Sequence, residues 1–228
     1  MKGRIYCIGV GPGDAELMTL KAVRIIKECD VIAYPIKDEQ ADTSVAFNIA
    51  RQAVPDIAAK DLLPIFSPMV RDRKTIQETH ERAAKQISSL LAEGLKVAYL
   101  TLGDPMIYCT YTSLAKLLSE NGYETEYVSG VTSFCAAAAR LGTPIADRDE
   151  TLTILPGVYD ISALKHPGRH VIMKSAGKMH QVKDELRALG KDAMAVENCG
   201  MQDEKIYRSI SEIPDDAGYF TVILPSGK

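Results

Sequence analysis

The sequence lacks the features that would place it in several special classes of protein. No apolar run in its 228 residues approaches the length of a membrane span. The net charge is -3 and no basic stripe is present, which argues against a nucleic-acid partner. Repeats and low-complexity tracts are also missing. With 46% hydrophobic residues, the chain can form the core of one large domain or two small ones.

The cysteines and histidines argue against a disulfide framework and against a metal site. The five cysteines are scattered, odd in number and without a Cys-x-x-Cys pair, which predicts reduced, mostly buried thiols of a cytoplasmic protein. The four histidines have no metal-ligand spacing, so we expect no metal site. The first four residues lead directly into a short strand, and we expect no signal peptide.

The most informative stretch is Val97 to Tyr108, VAYLTLGDPMIY. Its apolar start predicts a strand buried on both faces, and the strand ends at Gly103-Asp104-Pro105. Two interpretations of Asp104 stay open. It caps the following helix, or it lies at the carboxyl edge of an α/β sheet, where ligands bind.

The amino-terminal segment predicts a strand, a glycine-rich turn, a helix and a second, parallel strand. These elements are expected at residues 4–8, 9–14, 17–28 and 31–34. The turn argues against dinucleotide binding, because its spacing is G-x-G-x-G and Pro12 lacks the N–H that a phosphate would need. In addition, the acid that binds the ribose of a dinucleotide should lie at the end of the second strand, whereas Asp30 lies at its start. These observations disfavour a nicotinamide-dependent oxidoreductase. Two interpretations of the turn stay open: it is a plain tight turn, or its backbone is approached closely by a flat ligand.

The rest of the chain continues the alternation of strands and helices, which predicts an α/β fold with two α/β domains. We place their joint near Gly122, giving domains at residues 1–121 and 122–228. Further strands are expected at residues 62–66, 123–128, 152–155, 169–174, 193–196 and 218–224. Further helices are expected up to residue 53 and at residues 75–92, 112–120, 135–141 and 178–188.

Three stretches together resemble the tetrapyrrole methylases, the class III methyltransferases that use S-adenosylmethionine. They are Gly9–Asp14 (GVGPGD), Thr101–Met106 (TLGDPM) and Gly130–Phe134 (GVTSF), in the family's order and spacing. Within the family, the chain is most similar to the C20-methylases of cobalamin synthesis, which act on precorrin-2 or cobalt-factor II. This narrower resemblance rests on residues 31–35, 66–69, 101–111 and 133–142. Pro35 replaces the aspartate usual in uroporphyrinogen methylases, which counts against C2/C7 methylation.

The resemblance implies a homodimer whose subunits each have a cleft between the two domains. The first domain would form the substrate side of the cleft, and the second, with a mixed sheet, would share the donor site. The implied donor contacts are Pro12, Leu102, Gly103, Asp104, Ile107, Thr132 and Ser133, with Met173, Asn198 and Met201 as looser matches. The expected contacts to the carboxylate-rich substrate are Gly11, Gly13, Arg71, Arg73 and Lys74, with the three cations in one loop. Arg140, Arg148 and Lys174 are further candidates.

The predicted chemistry is an in-line methyl transfer accelerated mainly by positioning. Asp104 suits a polar contact to the cationic donor, whereas no residue is assigned as a general base. Met106 and Tyr108 are expected to pack in the core. Alternatives are methylation at another ring position, a family member that modifies RNA or protein, and a tetrapyrrole carrier without enzymatic activity. The acidic charge balance disfavours RNA.

Overall fold

The computed structural model describes residues 2–38, 40–41, 44–68 and 72–226. The chain divides into two compact units, Met1–Thr132 and Ser133–Lys228. This division corrects the joint predicted after residue 121. The strand Thr125–Val128 pairs with Arg4–Gly9, so it completes the first sheet and does not begin the second.

The first unit alternates strands and helices along the chain. Its strands are β1 (Arg4–Gly9), β2 (Val31–Ile36), β3 (Asp61–Phe66), β4 (Lys96–Thr101) and β5 (Thr125–Val128). Its α-helices are α1 (Leu20–Glu28), α2 (Val45–Ala53), α3 (Arg73–Ala92) and α4 (Tyr111–Glu120). Short 3-10 helices at Ala15–Leu17 and Pro55–Ala59 were not predicted. The predicted α/β fold class is confirmed in this unit.

All strands of the first sheet are parallel, in the order β3-β2-β4-β1-β5. Helices cover both faces: residues of α1 and α2 pack in one core cluster, and residues of α3 and α4 pack in the other. The chain leaves β1 towards β2 on one side and leaves β4 towards β5 on the other. The ends of β1 and β4 therefore form a topological switch point, where open α/β sheets bind ligands.

Side-chain caps explain where two helices begin. Thr19 accepts the backbone N–H of Ala22 at 3.1 Å, so α1 begins at Leu20 and not at residue 17. Asp72 accepts the N–H of Thr75 at 2.8 Å, so α3 begins at Arg73. Arg73 and Lys74, which were predicted in the cationic loop, therefore lie in the first turn of α3.

The second unit contains the strands β6 (Leu152–Pro156), β7 (Arg169–Met173), β8 (Ala193–Glu197), β9 (Lys205–Tyr207) and β10 (Thr221–Pro225). Its helices are α5 (Ser133–Leu141), α6 (Met179–Ala188) and the 3-10 helix Ser162–Lys165. The sheet order is β6-β7-β10-β8-β9. β6 and β7 are parallel, whereas β10 is antiparallel to both β7 and β8, which makes the sheet mixed. Strand β9 was not predicted, because only three residues form it.

The carboxyl ends of β6, β7 and β8 meet at one edge of the second sheet, since β7 and β8 both run opposite to β10. One core cluster of this unit joins α6 to that sheet through Ile172, Val182, Leu186, Ala195 and Ile223. Within the described residues, each helix is too short or too polar to traverse a lipid bilayer.

Candidate functional site

Three turns meet at the carboxyl edge of the first sheet, because the strands that precede them are neighbours. β1 pairs with β4 on one side, where Gly9 lies opposite Thr101. It pairs with β5 on the other side, where Ile8 lies opposite Val128. The turns 10–14, 102–108 and 129–132 follow these strands, and they contain all the first-unit residues predicted to bind the donor.

Backbone hydrogen bonds join the first two turns. The N–H of Gly103 donates to the carbonyl of Gly11 at 2.8 Å, and the N–H of Gly11 donates to the carbonyl of Gly103 at 3.3 Å. Both residues have positive φ, 79° for Gly11 and 64° for Gly103, a conformation that glycine adopts without steric cost. The glycines of the predicted motifs therefore fix the shape of this edge.

Asp104 joins the second turn to the third. Its Oδ1 accepts the N–H of Met106 at 2.8 Å, and its Oδ2 accepts the N–H of Gly130 at 3.0 Å. Neither interpretation from the sequence describes this arrangement fully. Asp104 lies at the carboxyl edge of the sheet, it does not cap α4, and both of its oxygens accept backbone N–H groups.

Gly9 and Gly130 were not predicted to matter individually, yet the carbonyl of Gly103 lies directly against both. A Cβ atom on Gly9 would lie 2.4 Å from that oxygen, and one on Gly130 would lie 2.2 Å from it. Neither distance is compatible with a side chain. Both glycines belong to the quoted motifs, but the motifs do not reveal which atoms approach them.

The remaining predicted residues of the first unit differ in exposure. Pro12 is buried and Leu102 is half-buried, whereas Ile107 is exposed. Its neighbours Met106 and Tyr108 are 66% and 46% exposed, so the prediction that they pack in the core is wrong. These apolar side chains follow a turn and have left the sheet, and they form an exposed apolar surface beside Asp104.

Thr132 carries a hydroxyl group that has no hydrogen-bond partner although its oxygen is buried. Such a group destabilises the unliganded protein, because its interaction with water is lost and not replaced. Thr132 lies two residues after Gly130, and its Cα would lie 4.0 Å from a Cβ placed on Gly103. Ser133 begins α5. The structure thus leaves an unused polar atom at the edge where the donor is predicted to bind.

The second-unit residues lie at the carboxyl edge of their own sheet. Met173 ends β7, and Asn198 directly follows β8. Asn198 has φ of 53°, donates from its side chain to Asp203 at 2.7 Å, and accepts the N–H of Met201 through its carbonyl at 2.9 Å. The turn after β8 is therefore held in one conformation, which brings Asn198 and Met201 together.

A buried carboxylate beside this turn was missed. Glu197 is 7% exposed and accepts hydrogen bonds from the N–H of Gly218 at 2.7 Å and from the hydroxyl of Tyr207 at 2.8 Å. Burial, followed by the neighbouring Glu197 carboxylate, raises the pKa of Tyr207 to about 12, so the phenol stays protonated. A glutamate at the end of an apolar strand was the available sequence signal, and Glu197 directly precedes Asn198.

The structure does not place the predicted substrate-binding cations together in one loop. Arg71 lies outside the described residues. Arg73 and Lys74 are exposed in the first turn of α3, not in a loop, and Lys74 lies 3.8 Å from Glu78. Their positions are unusual, because cations at a helix amino terminus oppose the helix dipole.

The other candidate cations have separate surroundings. Arg140 donates to Glu204 at 2.6 Å, and Glu204 also accepts the N–H of Gly200, so Arg140 supports the turn after β8. Lys174 directly follows β7 with φ of 58°, and Arg148 has φ of 47° in an exposed turn. Among the described residues, no group of three or more metal-ligating side chains is close enough to hold a metal ion.

Comparisons with known proteins agree with the family resemblance. Residues 4–214 match the family model of the Tetrapyrrole (Corrin/Porphyrin) Methylases. A Methanocaldococcus jannaschii protein named "Probable cobalt-precorrin-2 C(20)-methyltransferase" is 36% identical over 69% of this chain and 66% of its own. A Sinorhizobium precorrin-2 C(20)-methyltransferase is 29% identical over 99% of this chain and 96% of its own.

The fold is shared with solved structures as well. Uroporphyrin-III C-methyltransferase from Thermus thermophilus, solved in complex with S-adenosyl homocysteine, superposes with a TM-score of 0.68 and 24% identity over 99% of this chain and 98% of its own. This likeness concerns the fold, and the family match concerns the sequence of nearly the whole chain. The chain belongs to the tetrapyrrole (corrin/porphyrin) methylases.

Proposed function

We propose that this protein transfers a methyl group from S-adenosylmethionine to C20 of a reduced tetrapyrrole, precorrin-2 or its cobalt-bearing counterpart, in cobalamin biosynthesis. The observation that carries the proposal is the set of three joined turns at the first sheet edge, with the unpartnered Thr132 hydroxyl beside them. Relatives named as C20-methyltransferases support the choice of substrate and position.

The proposed donor contacts in the first unit are backbone groups and small side chains. Pro12, Leu102, Gly103, Ile107, Thr132 and Ser133 would bind the donor, and the Thr132 hydroxyl would gain the hydrogen bond that it lacks. Asp104 would act through the backbone, because its oxygens hold Met106 and Gly130. Its negative charge would also favour the nearby sulfonium. Met173, Asn198 and Met201 remain proposed contacts from the second unit.

The reaction requires accurate positioning more than acid–base chemistry. The π electrons of the enamine-like C20 would form the new bond to the methyl carbon, and the electron pair of the breaking carbon–sulfur bond would return to sulfur as S-adenosylhomocysteine forms. The proton then leaves C20, and we assign no residue to this step. Holding the reactants in near-attack geometry accounts for much of the acceleration expected of such enzymes.

The carboxylates of the substrate give a reason for the unfavourable position of Arg73 and Lys74. Two exposed cations in the first turn of a 20-residue helix oppose its dipole, an effect that the carboxylates of Asp72 and Glu78 offset only in part. We propose that they bind substrate carboxylates together with the helix amino terminus. Arg71 is proposed for the same role on the family resemblance alone, and Gly11 and Gly13 for the approach of the macrocycle to the backbone.

We also propose that the enzyme is a cytoplasmic homodimer, as its family resemblance implies. The free and mostly buried cysteines suit a reducing compartment. Light scattering at several protein concentrations would test the dimer.

The decisive experiment is an anaerobic assay with labelled S-adenosylmethionine, offering metal-free and cobalt-loaded precursor in parallel and locating the methyl group by NMR. Methyl at C20 on only one form supports the proposal and identifies the pathway. Methyl at another carbon would refute the C20 assignment. Donor binding without transfer would point to another acceptor, and no binding of S-adenosylhomocysteine would favour a tetrapyrrole carrier.

A further inference from the structure

Two cysteines lie directly beneath the proposed donor site. Cys7 is on β1 and is completely buried, while Cys109 follows the turn 102–108 and is partly exposed. Cys109 packs against the core cluster that contains Cys7, and the two thiols share a hydrogen bond. The sulfur of Cys109 also lies 3.3 Å from the hydroxyl oxygen of Thr101, at the end of β4. Two strands and one functional turn are thus joined through a pair of thiols.

We propose that Cys7 and Cys109 form a peroxide-sensitive dithiol, whose oxidation to a disulfide displaces the turn 102–108 and weakens donor binding. The second half of this inference rests on the proposed function, whereas the formation of the disulfide does not.

The order of reaction follows from exposure. Cys109 is the thiol that solvent reaches, so peroxide oxidises it first: its sulfur gains oxygen, giving a sulfenic acid, and one water leaves. The sulfur of Cys7 then attacks the sulfur of Cys109, the S–O bond breaks, and the proton of Cys7 leaves with the hydroxyl group as a second water. Two thiols and one peroxide thus give one disulfide and two waters.

The chemistry of Cys7 makes the pair selective. Burial, followed by the hydrogen bond from Cys109, raises the pKa of the Cys7 thiol strongly, so this thiol does not react with external oxidants by itself. It reacts only with an oxidised partner that is already adjacent, where proximity compensates for its small thiolate fraction.

The disulfide would change the donor site through the backbone. A disulfide holds its sulfur atoms about 2.05 Å apart, closer than a hydrogen-bonded pair. Because Cys7 is buried in a central strand and Cys109 is not, we expect Cys109 to be the partner that is drawn towards β1. Tyr108, the residue before it, already has φ of 50° and absorbs further displacement poorly. The displacement therefore reaches Ile107 and Asp104, and the loss of one hydrogen bond to the donor there would lower its affinity about tenfold.

The test compares reduced and peroxide-treated protein in a Cys135→Ser background, which removes the exposed cysteine that would form intermolecular disulfides. Peptide mapping by mass spectrometry should find residues 7 and 109 in one cross-linked pair that has lost two hydrogens. Calorimetry should find that the affinity for S-adenosylhomocysteine falls about tenfold and recovers with dithiothreitol.

Two variants separate the possible outcomes. Cys109→Ser should bind S-adenosylhomocysteine as the reduced parent does and be insensitive to peroxide, and Cys7→Ala should also form no cross-link. Absence of the Cys7–Cys109 peptide after peroxide treatment overturns the proposal, and a cross-link that leaves affinity unchanged overturns its effect on the turn. If reduced protein does not bind S-adenosylhomocysteine, the proposed function fails, and the cross-link alone decides whether the dithiol exists.

Discussion

The carboxylate of Asp104 accepts the backbone N–H of Gly130 at 3.0 Å, a bond between residues 26 positions apart. Its other oxygen holds the N–H of Met106 at 2.8 Å. This one side chain therefore joins the turn after β4 to the turn after β5. In the proposed donor site, Asp104 would therefore act by fixing the backbone of these two turns, in addition to the effect of its charge.

Asp104→Ala should weaken donor binding, because two backbone N–H groups lose their acceptor and the turns are free to separate. An unsatisfied, partly buried N–H costs about 1–3 kcal/mol, so we expect a loss of about fivefold or more in the affinity for S-adenosylhomocysteine by calorimetry. Asp160→Ala is the matched control, since Asp160 accepts the N–H of Ser162 at 2.8 Å in the same local pattern without a second turn. Equal affinity in the two variants would remove Asp104 from the site.

Gly103→Ala should combine backbone strain with obstruction of the donor. At φ of 64° an alanine costs about 1 kcal/mol, and its Cβ would lie 4.0 Å from the Cα of Thr132. Gly142→Ala is the control for strain alone, because Gly142 has φ of 66° and no atom within 4 Å of the added Cβ. Both variants should lower the melting temperature similarly, and only Gly103→Ala should lower the affinity for S-adenosylhomocysteine. A similar affinity in both would mean that the donor does not approach Gly103.

The sequence predicted the fold where local chemistry determines it. Apolar runs located the strands of both sheets except β9, and the fold class is confirmed. The capping residues Thr19 and Asp72 were visible in the sequence, and using them would have placed the starts of α1 and α3 correctly. The domain joint was misplaced because β5 is a short edge strand whose partner, β1, lies far away in the chain.

The candidate site depended on contacts that no local pattern encodes. The motifs included Gly130 and Gly103, but not the approach of the Gly103 carbonyl to Gly130. The missing partner of Thr132 is likewise a property of the packed chain. Met106 and Tyr108 resembled core residues because hydrophobicity alone does not reveal that a turn has carried them out of the sheet.

Thr132→Val should separate stability from binding. Valine has the shape of threonine without the hydroxyl group, so removing a buried, unpartnered oxygen should leave the melting temperature equal or higher. If the donor binds that hydroxyl, affinity for S-adenosylhomocysteine should fall by about fivefold to tenfold. Ser88→Ala removes another buried, unpartnered hydroxyl, on α3, and should leave affinity unchanged. Unchanged affinity in Thr132→Val would mean that the donor makes no bond there.

Removing Arg73 and Lys74 together should stabilise the protein slightly and impair its use of substrate. Loss of two cations from the first turn of α3 improves the helix dipole interaction by about 0.3–1 kcal/mol each, and the exposed Lys74–Glu78 pair contributes little. We expect a higher KM for the tetrapyrrole and a weaker dependence of KM on salt, with kcat retained. The double variant of the exposed Lys85 and Lys116, each to alanine, removes the same charge elsewhere. If both double variants change KM equally, the effect is one of net charge and not of a binding site.

His170 should make the second unit sensitive to acid. Its imidazole is 3% exposed and its Nε2 lies 2.9 Å from the carbonyl of Ala163. Burial lowers the pKa of His170 below its usual value of 6.5, and Lys191 and His166 act in the same direction, while the bond to Ala163 opposes them. Because the folded state binds the proton less readily than the unfolded state, the stabilising contribution is complete above pH 6.5 and is lost as the pH falls below it.

His170→Gln should therefore reduce the loss of stability between about pH 7.5 and 5.5, because glutamine keeps a donor for Ala163 but does not titrate. Urea unfolding at several pH values measures this slope in the parent and the variant. Burial also lowers the pKa of His80, and its contribution to the pH dependence of stability is the same in the parent and the variant. The variant His180→Gln, at an exposed position, controls for the loss of an imidazole. If the slope is the same in the parent and in His170→Gln, protonation of other groups accounts for the acid sensitivity of this protein.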